Sequence, residues 1–179
     1  MRRGAEFFYQ ELDALRALHR VIRRDLVQES RKHSAAKLLR EIPSVGPIRA
    51  ALMTALIQTP LRFRTKRQLW TSGGLGLETH DSAQYRYVEG QLQRTKKAVQ
   101  LRGLNRNHNH DLKNVFKGTA TWASIHPGVF QDFYVDLLAK GMKPEMARLT
   151  LARKIAAISL RVWKRGEHFD AKYLKQQAA

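Results

Sequence analysis

The sequence predicts a mainly α-helical protein with one short insertion of a different kind. The two longest helical stretches, residues 5–39 and 144–165, carry apolar residues at steps of three and four and have no glycine or proline after their first residue. Such spacing is typical of amphipathic helices. Residues 78–106 lack it and place Tyr85 and Tyr87 on either side of an arginine, so we expect a short β-hairpin or an irregular basic segment there.

The first helix is predicted over residues 5–39, and it carries a narrow apolar stripe. The stripe advances in alternating steps of four and three, the spacing of a coiled-coil seam. Its members are Phe8, Leu12, Leu15, His19, Ile22 and Leu26. The stripe suits pairing with a second copy through residues 8–26, which would make the protein a homo-oligomer, and it equally suits packing within one chain. We interpret residues 1–39 as a coiled-coil linker helix.

A hairpin between two helices is predicted at residues 38–58. In REIPSVGPIRAAL, two prolines and a glycine interrupt an apolar, helix-forming run. The pattern is typical of a helix-hairpin-helix motif, with helices expected over residues 34–41 and 47–58, whose backbone amides point at a phosphate. Ser44 stands where the first glycine is usual, and Pro47 lacks an N–H, so a purely structural turn is the alternative. The candidate phosphate-binding residues of this motif are Ser44, Val45, Gly46 and Arg49.

The other helices of the domain, residues 40–166, are predicted between helix-breaking residues. A glycine-rich bend, SGGLGL, follows the first of them and indicates closely packed, irregular backbone. Residues 167–179 are expected to form a flexible tail. The predicted helices cover residues 64–71, 107–123, 127–140 and 144–165, the last opened by Pro144, ended at Gly166 and buried through Leu151, Ile155, Ile158 and Val162.

Charge points to a nucleic-acid partner. There are 33 Lys and Arg against 15 Asp and Glu, a formal net charge of +18, and such a field attracts polyanions. The chain has no cysteine, no apolar run that approaches the ~20 residues of a membrane span, and no secretory signal. Residues 86–117 form its most basic stretch, and Tyr85 and Tyr87 make an RNA-stacking surface an alternative. The candidate phosphate contacts there are Arg86, Arg94, Lys96, Lys97, Arg102 and Arg106.

The sequence lacks the residues that several kinds of catalytic site require. A helix-hairpin-helix glycosylase places a carboxylate soon after the hairpin, whereas the first Asp after Gly46 is Asp81. The acidic residues show no cluster that would hold paired cations, and His108 and His110 have no third ligand at a suitable spacing. Ser82 follows Asp81 on a predicted loop. The basic residues after it could supply positive charge for attack on a phosphodiester, but no activating base is evident.

Four segments, in order, closely resemble the C-terminal half of transposases of the IS110/IS116 insertion-sequence family. They extend from the hairpin to about residue 165. The resemblance implies that Ser82 is the catalytic serine, with Ser72 as the fallback, although the family's Ser-Gly step is Ser82-Ala83 here. The segments are IPSVGPIRAALMTALI, RFRTKRQLWTSGGLGLETHDS, LRGLNRNHNHDLKNVFKGTA and KPEMARLTLARKIAAISLRVWK.

The resemblance implies the DNA-binding and catalytic-serine domain of a DNA transposase. In this family a resolvase-like N-terminal domain carries four acidic ligands for Mg²⁺, and a coiled coil mediates assembly. Nothing upstream in this chain resembles that domain, so we expect a truncated or split copy that holds no metal and is inactive alone. The implied partners are DNA and a bridge RNA, in the cytoplasm of a bacterial or archaeal cell, near the nucleoid. The alternative is a non-catalytic helix-hairpin-helix module that binds DNA or RNA.

Overall fold

A computed structural model describes residues 2–80, 85–94 and 100–175. It confirms the mainly α-helical class, with small two-stranded sheets between the fourth and fifth helices. The helices are α1 (Arg2–Ser30), α2 (Ser34–Arg40), α3 (Pro47–Ile57), α4 (Lys66–Ser72), α5 (His110–Ile125), α6 (Val129–Ala139), α7 (Pro144–Arg165) and α8 (Lys172–Lys175), with a 3-10 turn at Pro60–Arg62. The strands are β1 (Leu77–His80), β2 (Tyr85–Val88), β3 (Gln91–Arg94) and β4 (Gln100–Leu104).

Helix α7 is the centre of the core. It contacts α2, α4, α5 and α6, and Leu151, Ile155 and Val162 are fully buried. Proline at the first position starts it, because the missing N–H would have no partner inside the helix there. Gly166 ends it in the left-handed conformation, φ 64°, with its amide donating to the Val162 carbonyl. The predicted bounds and buried stripe of this helix are confirmed.

Helix α1 stands largely clear of that core. At ~1.5 Å per residue, its 29 residues span about 43 Å, and its C-terminal part contacts α3. Phe8, Leu15 and Ile22 of the predicted seam are 74%, 57% and 54% exposed. Within the described chain, nothing covers the seam over these residues.

The prediction of one helix over residues 5–39 was wrong. The helix ends at Ser30, whose hydroxyl donates to the Val27 carbonyl at 2.8 Å, and His33 adopts an extended conformation ahead of α2. The physical reason is packing. Ala36 and Leu39 are buried at 1% and 0% exposure, and the turn lets α2 lie on the core while α1 leaves it.

The predicted β structure in residues 78–106 is confirmed in two parts. Strands β2 and β3 form an antiparallel hairpin whose two turn residues, Glu89 and Gly90, have φ of 51° and 79°. Positive φ at both positions is the type I′ geometry that matches the twist of paired strands. Strands β1 and β4 pair antiparallel, with a register shift between Glu78 and Thr79 that leaves Arg102 as the extra residue of a β-bulge.

The described part of the predicted flexible tail, residues 167–175, packs against the core, whereas residues 176–179 lie outside the described residues. Phe169, Tyr173 and Leu174 pack against the core. The Tyr173 hydroxyl donates to Glu167 at 3.0 Å. Aromatic and aliphatic surface buried there outweighs the polar composition of the segment. No helix in the described residues is long and apolar enough to cross a membrane.

Candidate nucleic-acid interface

The predicted hairpin is a tight turn between α2 and α3, anchored by two buried side chains. Ile42 and Val45 are 1% and 4% exposed, and the Val45 amide donates to the Ile42 carbonyl at 3.0 Å. Between them, Ser44 has a φ of 69°. A side chain is strained in that conformation and glycine is not, which accounts physically for the glycine usual at this position.

The turn leaves several backbone amides without an acceptor. Within residues 2–80, 85–94 and 100–175, nothing accepts from the amides of Ser44, Gly46, Ile48 or Arg49. Pro47 has no N–H, and it occupies the first position of α3, where that loss costs the helix nothing. Ser44, Gly46 and Ile48 are partly exposed. The hairpin and the first turn of α3 therefore present a short row of donors at the positive end of a helix.

Arg49, predicted as a phosphate contact, braces the hairpin. Its two terminal nitrogens donate to the carbonyls of Ser44 at 3.0 Å and Gly118 at 3.2 Å. The guanidinium thus ties the strained turn to α5. Burial lowers the pKa of Arg49 from its ordinary value. Sequence reasoning missed this role, because the Gly118 contact is 69 residues away along the chain.

Exposed cations lie on both elements next to the hairpin. Lys37 and Arg40 are in the last turn of α2, and Lys117 is adjacent to the Gly118 that Arg49 contacts. All three side chains are exposed. They are free of ion pairs among the described residues, where the salt bridges involve other basic side chains. The surroundings of the hairpin are thus suited to a polyanion.

The glycine-rich bend holds the base of the β1–β4 pair against α5. A Cβ on Gly74, whose φ is 62°, would lie 2.5 Å from the His108 ring. Asn105, directly after β4, donates from its amide to the Gly76 carbonyl at 3.0 Å and from its side chain to Thr71 at 3.1 Å. The close packing predicted for this bend is confirmed. No periodic pattern could have shown that His108 is its partner.

His108 also shows why the histidine pair is a poor metal site. Its Nδ1 lies 2.7 Å from the Asn105 carbonyl, and its Nε2 lies 3.2 Å from the Lys113 ammonium. Both ring nitrogens are therefore engaged. The described residues contain no group of three or more acidic or histidine side chains that could hold a metal ion.

The remaining candidate residues are placed as far as the described chain allows. Ser82, Lys96 and Lys97 lie outside the described residues. Ser72, the fallback serine, is half-buried at the end of α4, and its carbonyl accepts from the Asn109 amide at 2.8 Å. Arg106 is exposed between β4 and α5.

Three of the predicted phosphate contacts are arginines that lie in strands, where the strand pairing gives their positions. Arg86 pairs with Gln93, and Arg94 pairs with Tyr85, so the two arginines occupy neighbouring positions across the hairpin. Arg102 lies at the bulge of β4. The hairpin thus brings Arg86 and Arg94 close in the backbone, whereas Arg102 belongs to the separate β1–β4 sheet.

These elements form a basic module that presents helix-terminal amides and a β-hairpin, and part of the chain is similar to a known family. Residues 36–104 match the model described as the Transposase IS116/IS110/IS902 family. The match extends from α2 to the last residue of β4, so it includes the hairpin, the glycine-rich bend and all four strands. A search of curated proteins finds no match. The resemblance to this transposase family is confirmed over that segment, and it supports a transposase-type function and an interaction with DNA.

Proposed function

We propose that this chain is the DNA-binding and catalytic-serine part of an insertion-sequence transposase, and that the α2–α3 hairpin holds the DNA backbone. The observation that carries the proposal is that nothing in the described chain accepts from the backbone amides of Ser44, Gly46, Ile48 and Arg49. These amides lie inside the segment that matches the transposase family. The net charge of +18 supplies the long-range attraction.

The hairpin suits phosphate in two ways. Amides at a helix N-terminus donate to anionic oxygens and carry the positive end of the helix dipole. Arg49 keeps the turn in its strained shape through the Ser44 carbonyl, so the donors are positioned before a ligand arrives. Contacts of this kind hold DNA without reading its sequence.

Gly46 offers a precise test of the amides. Its φ of −72° and ψ of 170° suit proline, and a Cβ there meets nothing within 4 Å. Gly46→Pro therefore removes one N–H at a position whose own φ and ψ proline can adopt, while Gly46→Ala is the matched control that keeps it. Because a hydrogen bond to a charged acceptor contributes ~1.5–3 kcal/mol, we expect Gly46→Pro to weaken duplex binding by about tenfold or more in fluorescence anisotropy.

The control should bind like the wild type, and both variants should unfold within a few degrees of it. Equal affinities for the two variants would contradict the hairpin assignment. Wild-type affinity should also fall at least about tenfold between 50 and 200 mM salt, because each phosphate contact releases counterions. A flat salt response would contradict charge-dominated binding.

Ser82 is the nucleophile in this proposal, as the family resemblance implies. Its oxygen would attack phosphorus and form a phosphoserine bond, while the bond from phosphorus to the leaving sugar oxygen breaks. The hydroxyl proton passes to water, and the leaving oxygen gains one. Neighbouring cations of the basic stretch 86–117 would stabilise charge on the phosphoryl oxygens.

The test of Ser82 is a covalent DNA adduct. We expect no adduct from this chain alone, and an adduct when a resolvase-like domain of the family and magnesium are supplied in trans. Ser82→Ala should abolish it and leave DNA affinity within about twofold, because one hydroxyl adds little beside so many cations. An adduct that survives Ser82→Ala but is lost in Ser72→Ala would move the nucleophile to Ser72. Absence of any adduct would favour a non-catalytic binding module.

We also propose that α1 pairs with a second copy of the chain. The seam residues Phe8, Leu15 and Ile22 are more than half exposed, and a fold rarely leaves a contiguous apolar stripe of this length uncovered. Pairing of seams would bury the stripe in the geometry of a coiled coil.

A further inference from the structure

A cleft of about 720 Å³ opens between α4 and α7, with residues of α6 and α8 at its sides. Its volume is typical of ligand sites. Among the described residues, sixteen line it; seven of these are Lys or Arg, and none is Asp or Glu. Trp70, Phe133 and Tyr173 also line it. We call it the α4–α7 cleft.

Aromatic rings and cations alternate along the cleft in three pairs. The Lys66 ammonium lies 5.9 Å from the Trp70 ring centroid, and the Lys154 ammonium lies 6.0 Å from that of Phe133. At the α8 end, the Arg161 guanidinium lies 4.2 Å from the Tyr173 ring. Each pair sets a flat apolar face beside a positive charge.

Trp70 is held in place for this role. Its Nε1 donates to the Arg153 carbonyl at 2.9 Å, and Arg153 in turn donates from Nε to the Leu75 carbonyl at 2.7 Å. The Lys164 ammonium closes the edge of the cleft through the carbonyls of Phe63 and Arg64. The walls are therefore preorganised by backbone contacts.

Two of the cations in the cleft are electrostatically coupled. Burial and the charge of Lys66 both lower the pKa of Lys154, so the two ammonium groups act on each other. An anion bound beside them would be attracted to both charges. At the α8 end, Glu167 accepts from Tyr173 and lies 3.6 Å from Arg165.

We propose that the α4–α7 cleft binds an unstacked nucleotide of a single DNA strand, with the base against Trp70 and the phosphate between Lys66 and Lys154. A strand carries a flat base and a phosphate at each repeat, which is the pairing that the cleft offers. A duplex cannot present its stacked bases to such a site. The inference rests on the proposed function, since strand transfer exposes single-stranded DNA.

The test compares strands with and without bases. The intact chain is titrated with fluorescein-labelled oligothymidylate and with an abasic strand of the same length and charge. Stacking on aromatic side chains favours the base-bearing strand, so we expect it to bind at least about tenfold more tightly. Equal binding of the two strands would overturn the proposal.

A matched pair of double variants separates the cleft from general charge. Lys66→Ala/Lys154→Ala removes two cations from the cleft, and Lys140→Ala/Lys143→Ala removes two exposed cations outside it. We expect the cleft pair to weaken oligothymidylate binding at least tenfold more than the control pair, with duplex binding equal in both. Equal loss of oligothymidylate binding in the two double variants would overturn the proposal.

Tryptophan fluorescence gives an independent readout. Base stacking should quench it in the wild type and in Trp163→Phe but not in Trp70→Phe. Quenching that persists in Trp70→Phe would exclude the indole as the stacking face. Tighter binding of oligouridylate than oligothymidylate would reassign the ligand to RNA. The outcome with Gly46→Pro is independent of all these results, so failure of the hairpin and failure of the cleft are distinguishable.

Discussion

Helices α1 and α7 have the same kind of sequence pattern and opposite surroundings. Both carry apolar residues at steps of three and four, yet Leu15 of α1 is 57% exposed while Ile155 of α7 is fully buried. The spacing of apolar residues indicates that a helix has an apolar face. It does not indicate which part of the structure covers that face. In α7 four helices of the same chain cover it, and in α1 we propose that a second copy does.

The largest effect expected from this comparison concerns stability. Ile155→Ala should lower the free energy of unfolding by about 2–5 kcal/mol, because it leaves a cavity in a packed core. Leu15→Ala, the matched change in α1, should alter it by no more than about 0.5 kcal/mol in the monomer. Urea denaturation at low protein concentration measures both. Similar losses in the two variants would show that α1 is covered by its own chain.

The oligomeric state of the protein tests whether a second copy covers α1. Leu15→Glu together with Ile22→Glu should convert an oligomer to a monomer, because charges facing each other in a seam cannot be solvated. Residues 40–165 should stay folded. Sedimentation velocity distinguishes the species, and far-UV circular dichroism checks the fold. A wild-type chain that is already monomeric at tens of micromolar would refute pairing through α1.

The Arg49 brace should have an intermediate effect. Arg49→Met removes the donors to the Ser44 and Gly118 carbonyls, and we expect a loss of about 1–3 kcal/mol in the free energy of unfolding. Arg31→Met is the control, because Arg31 is exposed on the segment between α1 and α2. Thermal unfolding of the two variants measures the difference. If Arg49→Met were as stable as its control, Arg49 would not brace the hairpin.

The smallest expected effect compares two glycines at the ends of α1 and α7. Gly166→Ala should cost about 1–2 kcal/mol, because its left-handed conformation, φ 64°, strains any side chain. Gly4→Ala lies in α1 with open space around it and should add helicity without lowering the melting temperature. Circular dichroism with thermal melting follows both variants. A drop in melting temperature for Gly4→Ala would couple the start of α1 to the core.

Local chemistry made much of the fold predictable. Proline at the start of α7 and glycine at its end bound that helix, because both act through their own backbone geometry. The turn at Gly90 and the tight bend at Gly74 also depend on the backbone geometry of a single residue, since both glycines have positive φ. The break between α1 and α2 was not predictable in this way, since residues 31–33 contain neither proline nor glycine.

The same distinction between local and long-range contacts applies to the two candidate binding sites. The hairpin was recognised from its prolines, glycine and flanking apolar residues, whereas the α4–α7 cleft was missed. A signal was present, because basic residues recur in α7 at Arg153, Arg161 and Lys164. Taken alone, they look like a solvated helix face, and only Trp70 and Phe133 from other elements make a cleft of them.

By itself, the sequence determined where most helices begin and end, which faces are apolar, that the net charge would attract a polyanion, and that the chain resembles transposases. These depend on neighbours within a few residues or on summed charge. Only the tertiary structure decided that α1 leaves the core, that Arg49 joins the Ser44 and Gly118 carbonyls, and that the Trp70 indole of α4 donates to the Arg153 carbonyl of α7. The last two contacts join residues 69 and 83 positions apart. They are decided by how the buried faces pack together, and no local pattern records that packing.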